Sequence, residues 1–208
     1  MHDEQLLEKY ALLSEYENMA KENGYSCLAG IDEAGRGPLA GPVVAAACIL
    51  DENSMILGLD DSKKLSEKKR EKLYDEIVMH AVAYSVIRIE PDVIDQINIL
   101  EATKRAMRLC VSGLRVSPDM LLIDAINLTG TGIPVTPIIK GDAKSNSIAA
   151  ASILAKVTRD RIMEEYDVVY PGYGFAKHKG YGTKAHYEAI ERLSICPIHR
   201  KTFLKGLC

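Results

Sequence analysis

The chain has 208 residues, 47% of them hydrophobic and 26% charged, with a formal net charge of −3. That is the length and composition of a single globular domain with a substantial core. No apolar run approaches the roughly 20 residues of a membrane helix, and Met1-His2-Asp3-Glu4 is no secretory leader, so a cytoplasmic protein without a membrane partner is expected.

The five cysteines (Cys27, Cys48, Cys110, Cys196, Cys208) are odd in number and scattered, which predicts reduced thiols and excludes a Cys-x-x-Cys zinc site. The net charge hides an uneven distribution. Residues 1–26 hold six acids against Lys9 and Lys21, a net −4, which leaves about +1 for the remainder. Bases gather from Lys63-Lys64 to Lys72 and from Lys177 to His186. Local concentration sets the field that a polyanion meets, so the total charge excludes nothing.

Residues 4–22 carry Leu6, Tyr10, Leu13, Tyr16 and Ala20 at helical steps and predict one accessory amphipathic helix ending near Asn23-Gly24. Residues 27–33 and 42–50 read as two apolar strands joined by a glycine-rich turn, with Ala45-Ala46-Ala47 admitting a close neighbour. Ser66 is a natural N-cap for a helix through about Met79, and 81–89 alternates as a strand. A short helix begins near Pro91. A longer one follows Asn98, its buried side expected as Leu100, Thr103, Met107, Cys110 and Leu114.

Met120 to Asp124 is an apolar strand ending on a carboxylate, and Val135 to Ile139 is another strand. From Ser145 to about Tyr166 the pattern is helical, with small residues that let a helix lie close to a sheet. Pro171 to Gly182 is expected as a flexible loop whose Tyr173, Phe175, His178, Lys179 and Tyr181 suit stacking on sugars or bases and contact with phosphates. Thr183 caps a last helix to about Leu193, and 197–208 form a short tail. An antiparallel meander joined to parallel strands, with helices on both faces, fits this order and predicts a mixed α/β fold.

Five acidic pairs, Asp3-Glu4, Asp51-Glu52, Asp60-Asp61, Asp75-Glu76 and Glu164-Glu165, lie in polar surroundings and read as solvated surface. Asp32-Glu33 differs, because its small and apolar flanks predict burial. A buried carboxylate is costly unless paired, hydrogen-bonded or bound to metal. Asp124 and Asp142 have similar settings, a strand end and the start of a buried helix. Taken singly, Asp124 reads equally as a loop cap, and Asp142 reads better as a turn or N-cap residue. Convergence of all four would need hard cations, and an all-oxygen shell suits Mg²⁺ or Mn²⁺. Two such ions are typical of phosphodiester hydrolysis. Gly35-Arg36-Gly37 reads as a tight turn or as backbone able to approach a sugar–phosphate chain, and Lys63-Lys64 as a solvated lead-in or a phosphate contact.

The run Gly30-Ile31-Asp32-Glu33-Ala34-Gly35-Arg36-Gly37-Pro38-Leu39-Ala40-Gly41-Pro42 resembles the signature of bacterial type 2 ribonuclease H, ribonuclease HII. The resemblance continues at Asp61 to Ser66, Leu122-Ile123-Asp124, Lys140 to Ser145, Ser147 to Asp160 and Tyr170 to Thr183, covering about residues 27–195. Ala34 stands where many members have valine. The resemblance implies a ribonuclease H-like α/β fold with C-terminal helices. Residues 1–26 would be an accessory N-terminal helix and 27–208 the catalytic domain. It implies a monomeric endonuclease acting on RNA–DNA hybrids and incising 5′ to single ribonucleotides in duplex DNA, leaving 3′-hydroxyl and 5′-phosphate ends. Two divalent ions, Mg²⁺ or Mn²⁺, would be held by Asp32, Glu33, Asp124 and Asp142. Gly35, Arg36 and Gly37 would sense the ribonucleotide with Tyr181, and Lys63 and Lys64 would contact phosphates. The type 3 enzymes rank second, since residues 1–26 are too short for their N-terminal substrate-binding domain.

Overall fold

A computed structural model describes residues 2–205; Cys208 and the end of the expected tail lie outside the described residues. The N-terminal segment forms two helices where one is expected, α1 (His2–Leu12) and α2 (Glu15–Glu22). The break falls at Leu13-Ser14. Leu13 turns inward and is buried, and the Ser14 hydroxyl donates to the Tyr10 carbonyl at 2.8 Å, a local bond that competes with helix continuation.

The remaining elements are β1 (Leu28–Ala34), β2 (Val43–Ile49), α3 (Glu67–His80), β3 (Ala83–Ile89), α4 (Pro91–Ile97), α5 (Ile99–Ser112), β4 (Met120–Asp124), β5 (Val135–Ile138), α6 (Asn146–Val169), α7 (Phe175–His178) and α8 (Lys184–Leu193). The strands make one five-stranded sheet in the order β3-β2-β1-β4-β5. The first three pair antiparallel, and β1-β4-β5 pair parallel, as the element order predicts. At the β5 edge the strand has four residues, with Pro137 opposite Ile123.

Alternation in β2 decides the layers. Val43, Ala45, Ala47 and Ile49 face α4 and α5, while Val44, Ala46 and Cys48 face α3 and α6. The small residues Ala149, Ala150, Ala151 and Ala155 are fully buried and bring α6 against the sheet. Gly30 marks the closest approach: a Cβ there would overlap the Ser147 carbonyl group of α6. On α5 the buried side is Ala102, Thr103, Ala106, Met107 and Cys110. Leu100, expected inside, lies in the first turn beside the Asn98 cap and is 41% exposed.

The N-terminal helices dock on the start of α6. The Asn146 amide donates to the Tyr10 carbonyl and to Ser14 Oγ, each at 2.9 Å. Glu17 Oε1 accepts from Ser145 Oγ at 2.6 Å, Ser147 N at 3.0 Å and Ser147 Oγ at 2.6 Å, placing an anion at the positive end of a 24-residue helix.

Residues 171–182 are not a loop of free aromatics. Phe175 is fully buried and Tyr173 nearly so, their rings stacked 5.1 Å apart, and they pack with Met163, Ala189 and Ile198. The apolar area of two aromatic rings outweighs any solvent-facing role. His178 lies beneath the loop, with Nε2 bonded to the Tyr173 carbonyl at 2.8 Å and Nδ1 accepting from Gly180 N at 3.1 Å.

A second hydrogen-bond chain fixes neighbouring histidines as neutral rings. His186 Nδ1 donates to the Tyr181 carbonyl at 2.9 Å, so its Nε2 must accept from His199 Nε2 at 3.1 Å. His199 Nδ1 in turn accepts from Cys196 N at 2.9 Å. Burial, helped by His178 and His199, pushes the His186 imidazole down to about 4. The unfolded chain therefore binds a proton near pH 6.5 that the folded chain refuses until about pH 4. Stability from this group is complete above pH 6.5 and falls as the pH drops towards 4, by up to roughly 3 kcal/mol. Urea midpoints measured from pH 7.5 to 4.5 should decline more steeply for the native chain than for His186→Gln; parallel curves would remove His186 as the source.

Candidate active site

Parallel pairing sets the first two acids side by side. Ile31 pairs with Ile123, so the next residues, Asp32 within β1 and Asp124 at the end of β4, lie side by side on the α6 face, one step beyond Gly30 and Leu122 of that face. Asp142 arrives from a 3₁₀ turn, Gly141–Ala143, just before α6. Its position is pinned by Asp124, whose Oδ1 accepts from Gly141 N at 2.7 Å. Asp32, Asp124 and Asp142 offer carboxylate oxygens all within 4.8 Å of one another.

Asp32 is 5% exposed and Asp142 6%. Burial, then the charge of Glu33, pushes the Asp32 carboxyl well above its ordinary range, opposed by a hydrogen bond from Ser152. Asp142 is raised by burial and by Asp61 and Asp124. Such mutual repulsion in a buried cluster is what a divalent cation relieves.

Glu33 stands apart from the triad. Its Oε1 accepts from Arg36 Nη1 at 3.2 Å, while Oε2 is buried and has no partner among the described residues. Burial raises its pKa and Arg36 opposes the rise. A hard all-oxygen donor set with an orphaned carboxylate oxygen at its border fits a divalent metal.

Gly35-Arg36-Gly37 follows directly, Gly35 with φ +94°, which favours glycine. A Cβ on Gly37 would lie 3.7 Å from Tyr181 Cε1, so the turn and the 46%-exposed tyrosine face each other. Between them and the acids is a cleft of about 430 Å³, bordered also by Lys63, Arg70 and Lys156. The two lysines diverge. Lys63 is raised by Asp142, Asp61, Asp32 and Asp124, which outweigh its partial burial, whereas Lys64 Nζ lies 3.7 Å from Asp60.

Two groups escaped the sequence reading. Asp60-Asp61 is not free surface: Asp60 pairs with Lys9, and Asp61 borders Asp142. Ser152 is a buried hydroxyl supporting Asp32, itself 3.0 Å from Ser62 Oγ. Asp61 stood within the run 61–66 of the resemblance and could have been read from it. Ser152 looked like one more small packing residue of α6.

A family profile described as Ribonuclease HII matches residues 29–205, which takes in every acid of the cluster. The chain belongs to the ribonuclease HII family. It is a ribonuclease H enzyme by that membership, with a ribonuclease H-like α/β fold. Ribonuclease HII of Bacillus mycoides is 60% identical over 94% of this chain and 76% of its own length. That of Acetivibrio thermocellus is 56% identical over 98% of this chain and 79% of its own. The crystal structure of ribonuclease H2 from Pyrococcus horikoshii superposes with a TM-score of 0.73 at 31% identity, covering 85% of this chain and 93% of that one. Among the described residues, no helix is long and apolar enough to cross a membrane.

Proposed function

We propose that this chain hydrolyses the RNA strand of RNA–DNA hybrids and incises duplex DNA 5′ to a single embedded ribonucleotide. The observation that carries the proposal is the meeting of Asp32, Asp124 and Asp142 beside a glycine-flanked arginine turn that faces Tyr181. Asp32, Asp124 and Asp142, with Glu33 at their border, hold the divalent ions, Mg²⁺ or Mn²⁺. When bound, the ions supply Lewis acidity to the attacking water and to the leaving 3′ oxygen. Water bonds to phosphorus as the bond to the 3′ oxygen breaks; that oxygen takes up a proton, leaving 3′-hydroxyl and 5′-phosphate ends.

The chain's own residues do the rest. Burial of Asp32 excludes water from one side of the cluster, and Ser152 holds its carboxylate in place. Lys63 balances the acids and reaches a phosphate at the cleft mouth; Lys64, tied to Asp60, contributes only field. Gly35-Arg36-Gly37 and Tyr181 read the ribose through its 2′-hydroxyl, the group that separates RNA from DNA. A hybrid-binding module without catalysis would not need three carboxylates with oxygens within 4.8 Å of one another, and a small-molecule phosphatase would not need the turn beside Tyr181.

The test is cleavage of a duplex carrying one ribonucleotide, with Mg²⁺ or Mn²⁺ supplied. Cleavage should stop when that ribonucleotide becomes a deoxyribonucleotide; unchanged turnover would refute 2′-hydroxyl sensing. Tyr181→Ala should lose roughly tenfold more on the junction than within a long hybrid, since stacking on one sugar or base is worth about 1–3 kcal/mol. Equal losses on both substrates would count against Tyr181 as a junction reader.

A further inference from the structure

Two fully buried arginines stand behind the Gly35-Arg36-Gly37 turn, and among the described residues neither forms an ion pair. Arg159 donates from Nε to the Pro42 carbonyl at 3.0 Å, from Nη2 to Ala40 at 3.1 Å and from Nη1 to Lys179 at 2.9 Å. Arg200 is the more specific of the two. Its Nη2 donates to the Gly35 carbonyl at 2.6 Å and its Nη1 to the Arg36 carbonyl at 3.0 Å. Its Nε and Nη2 share the Gly41 carbonyl at 3.0 and 2.8 Å.

Burying a cation without a carboxylate is expensive, and burial does push the Arg200 guanidinium down to about 9, still charged at neutral pH. Three converging carbonyl dipoles are its compensation. Only the planar fork of a guanidinium reaches three such oxygens at once; a lysine is a point charge.

The consequence lies on the opposite side of the peptide planes. In a planar trans peptide the N–H points away from the preceding carbonyl. With the Gly35 and Arg36 carbonyls turned to Arg200, the Arg36 and Gly37 N–H groups point away from it. Among the described residues neither N–H has a hydrogen-bond acceptor. Both residues border the cleft that holds Asp32 and Tyr181. Successive free N–H groups of this kind make a nest for an oxygen.

We infer that Arg200 is a positioning residue for ribonucleotide recognition, fixing the turn so that the Arg36 and Gly37 amides are presented to an acceptor oxygen of the substrate strand. The inference rests on the reading of the turn as the ribonucleotide sensor. The oxygen is a 2′-hydroxyl or a neighbouring phosphate, and the substrate arms below separate the two.

Amide exchange on the native protein, followed by NMR, tests the orientation without a variant. In the free protein the Arg36 and Gly37 amides should exchange quickly. They should become at least tenfold slower when a duplex with one ribonucleotide is bound in the presence of chelator. Protection in the free protein would overturn the role of Arg200. Fast exchange that persists on binding would overturn the sensing role of the turn, leaving the orientation intact. Protection by an all-DNA duplex as well would assign the oxygen to phosphate.

Arg200→Lys supplies the kinetic test, with the melting temperature measured alongside. It should lower kcat/KM on the single-ribonucleotide duplex by roughly tenfold more than on a long hybrid. A folded Arg200→Lys that loses equally on both substrates would make Arg200 a packing residue only.

Discussion

Asp32→Asn is expected to abolish cleavage, by on the order of 10³-fold or more, and at the same time to stabilise the metal-free protein. Both follow from one position. Asp32 is 5% exposed and lies within 4.8 Å of oxygens on Asp124 and Asp142, with its carboxyl raised by burial and by Glu33. Loss of an ion that supplies several kcal/mol of transition-state stabilisation accounts for the rate. The neutral amide keeps the shape and removes a buried like charge, so in chelator the variant should melt higher by the equivalent of about 1–3 kcal/mol. Adding Mg²⁺ or Mn²⁺ should raise the melting temperature of the native chain but hardly that of the variant, because ligands stabilise the state that binds them. Binding of a ribonucleotide-containing duplex should remain measurable. A variant that keeps a tenth of the native rate, or the full ion-dependent shift, would remove Asp32 from the metal site.

The second large effect is structural in origin and catalytic in outcome. Gly30→Ala is expected to destabilise the chain by about 3 kcal/mol or more, read from the urea midpoint. The added Cβ would overlap the Ser147 carbonyl group, and Ser147 is the second residue of α6, so backbone must move. Gly30 lies two residues before Asp32 on the same strand face, and α6 begins four residues after Asp142. Whatever relieves the overlap therefore also spreads the acids. The surviving folded protein should lose most of its cleavage rate, and a variant within about 0.5 kcal/mol of native stability would show that α6 does not press on β1 there.

The fold was largely legible because its signals are periodic. β2 alternates between two buried layers, Ser66 and Thr183 sit at helix starts, and small residues mark the face of α6 against the sheet. Of the site, Asp32-Glu33 announced itself by apolar flanks and Asp124 by ending an apolar strand. Asp142 was legible only as a member of a set, since a turn before a helix is ordinary ground for aspartate. Arg200 gave no signal, and Arg159 none beyond its place in the run 147–160 of the resemblance: arginine is rarely buried, and the carbonyls that hold these two come from up to 165 residues away. Tyr173 and Phe175 misled for the opposite reason. Neighbouring glycines and lysines suggested an open loop, but the two rings stack on each other and the core takes them.

The edge strand β5 carries a further consequence, for how copies of this protein behave in a crowded solution. A sheet edge is an open template on which another chain can add by pairing its backbone. Here the template is four residues long, and Pro137 deprives it of one donor near its centre. A second chain laid along it would meet a missing rung after two residues. The sheet thus limits its own width by the covalent chemistry of one ring, and the protein resists strand-by-strand polymerisation at this edge without committing any charge to the task.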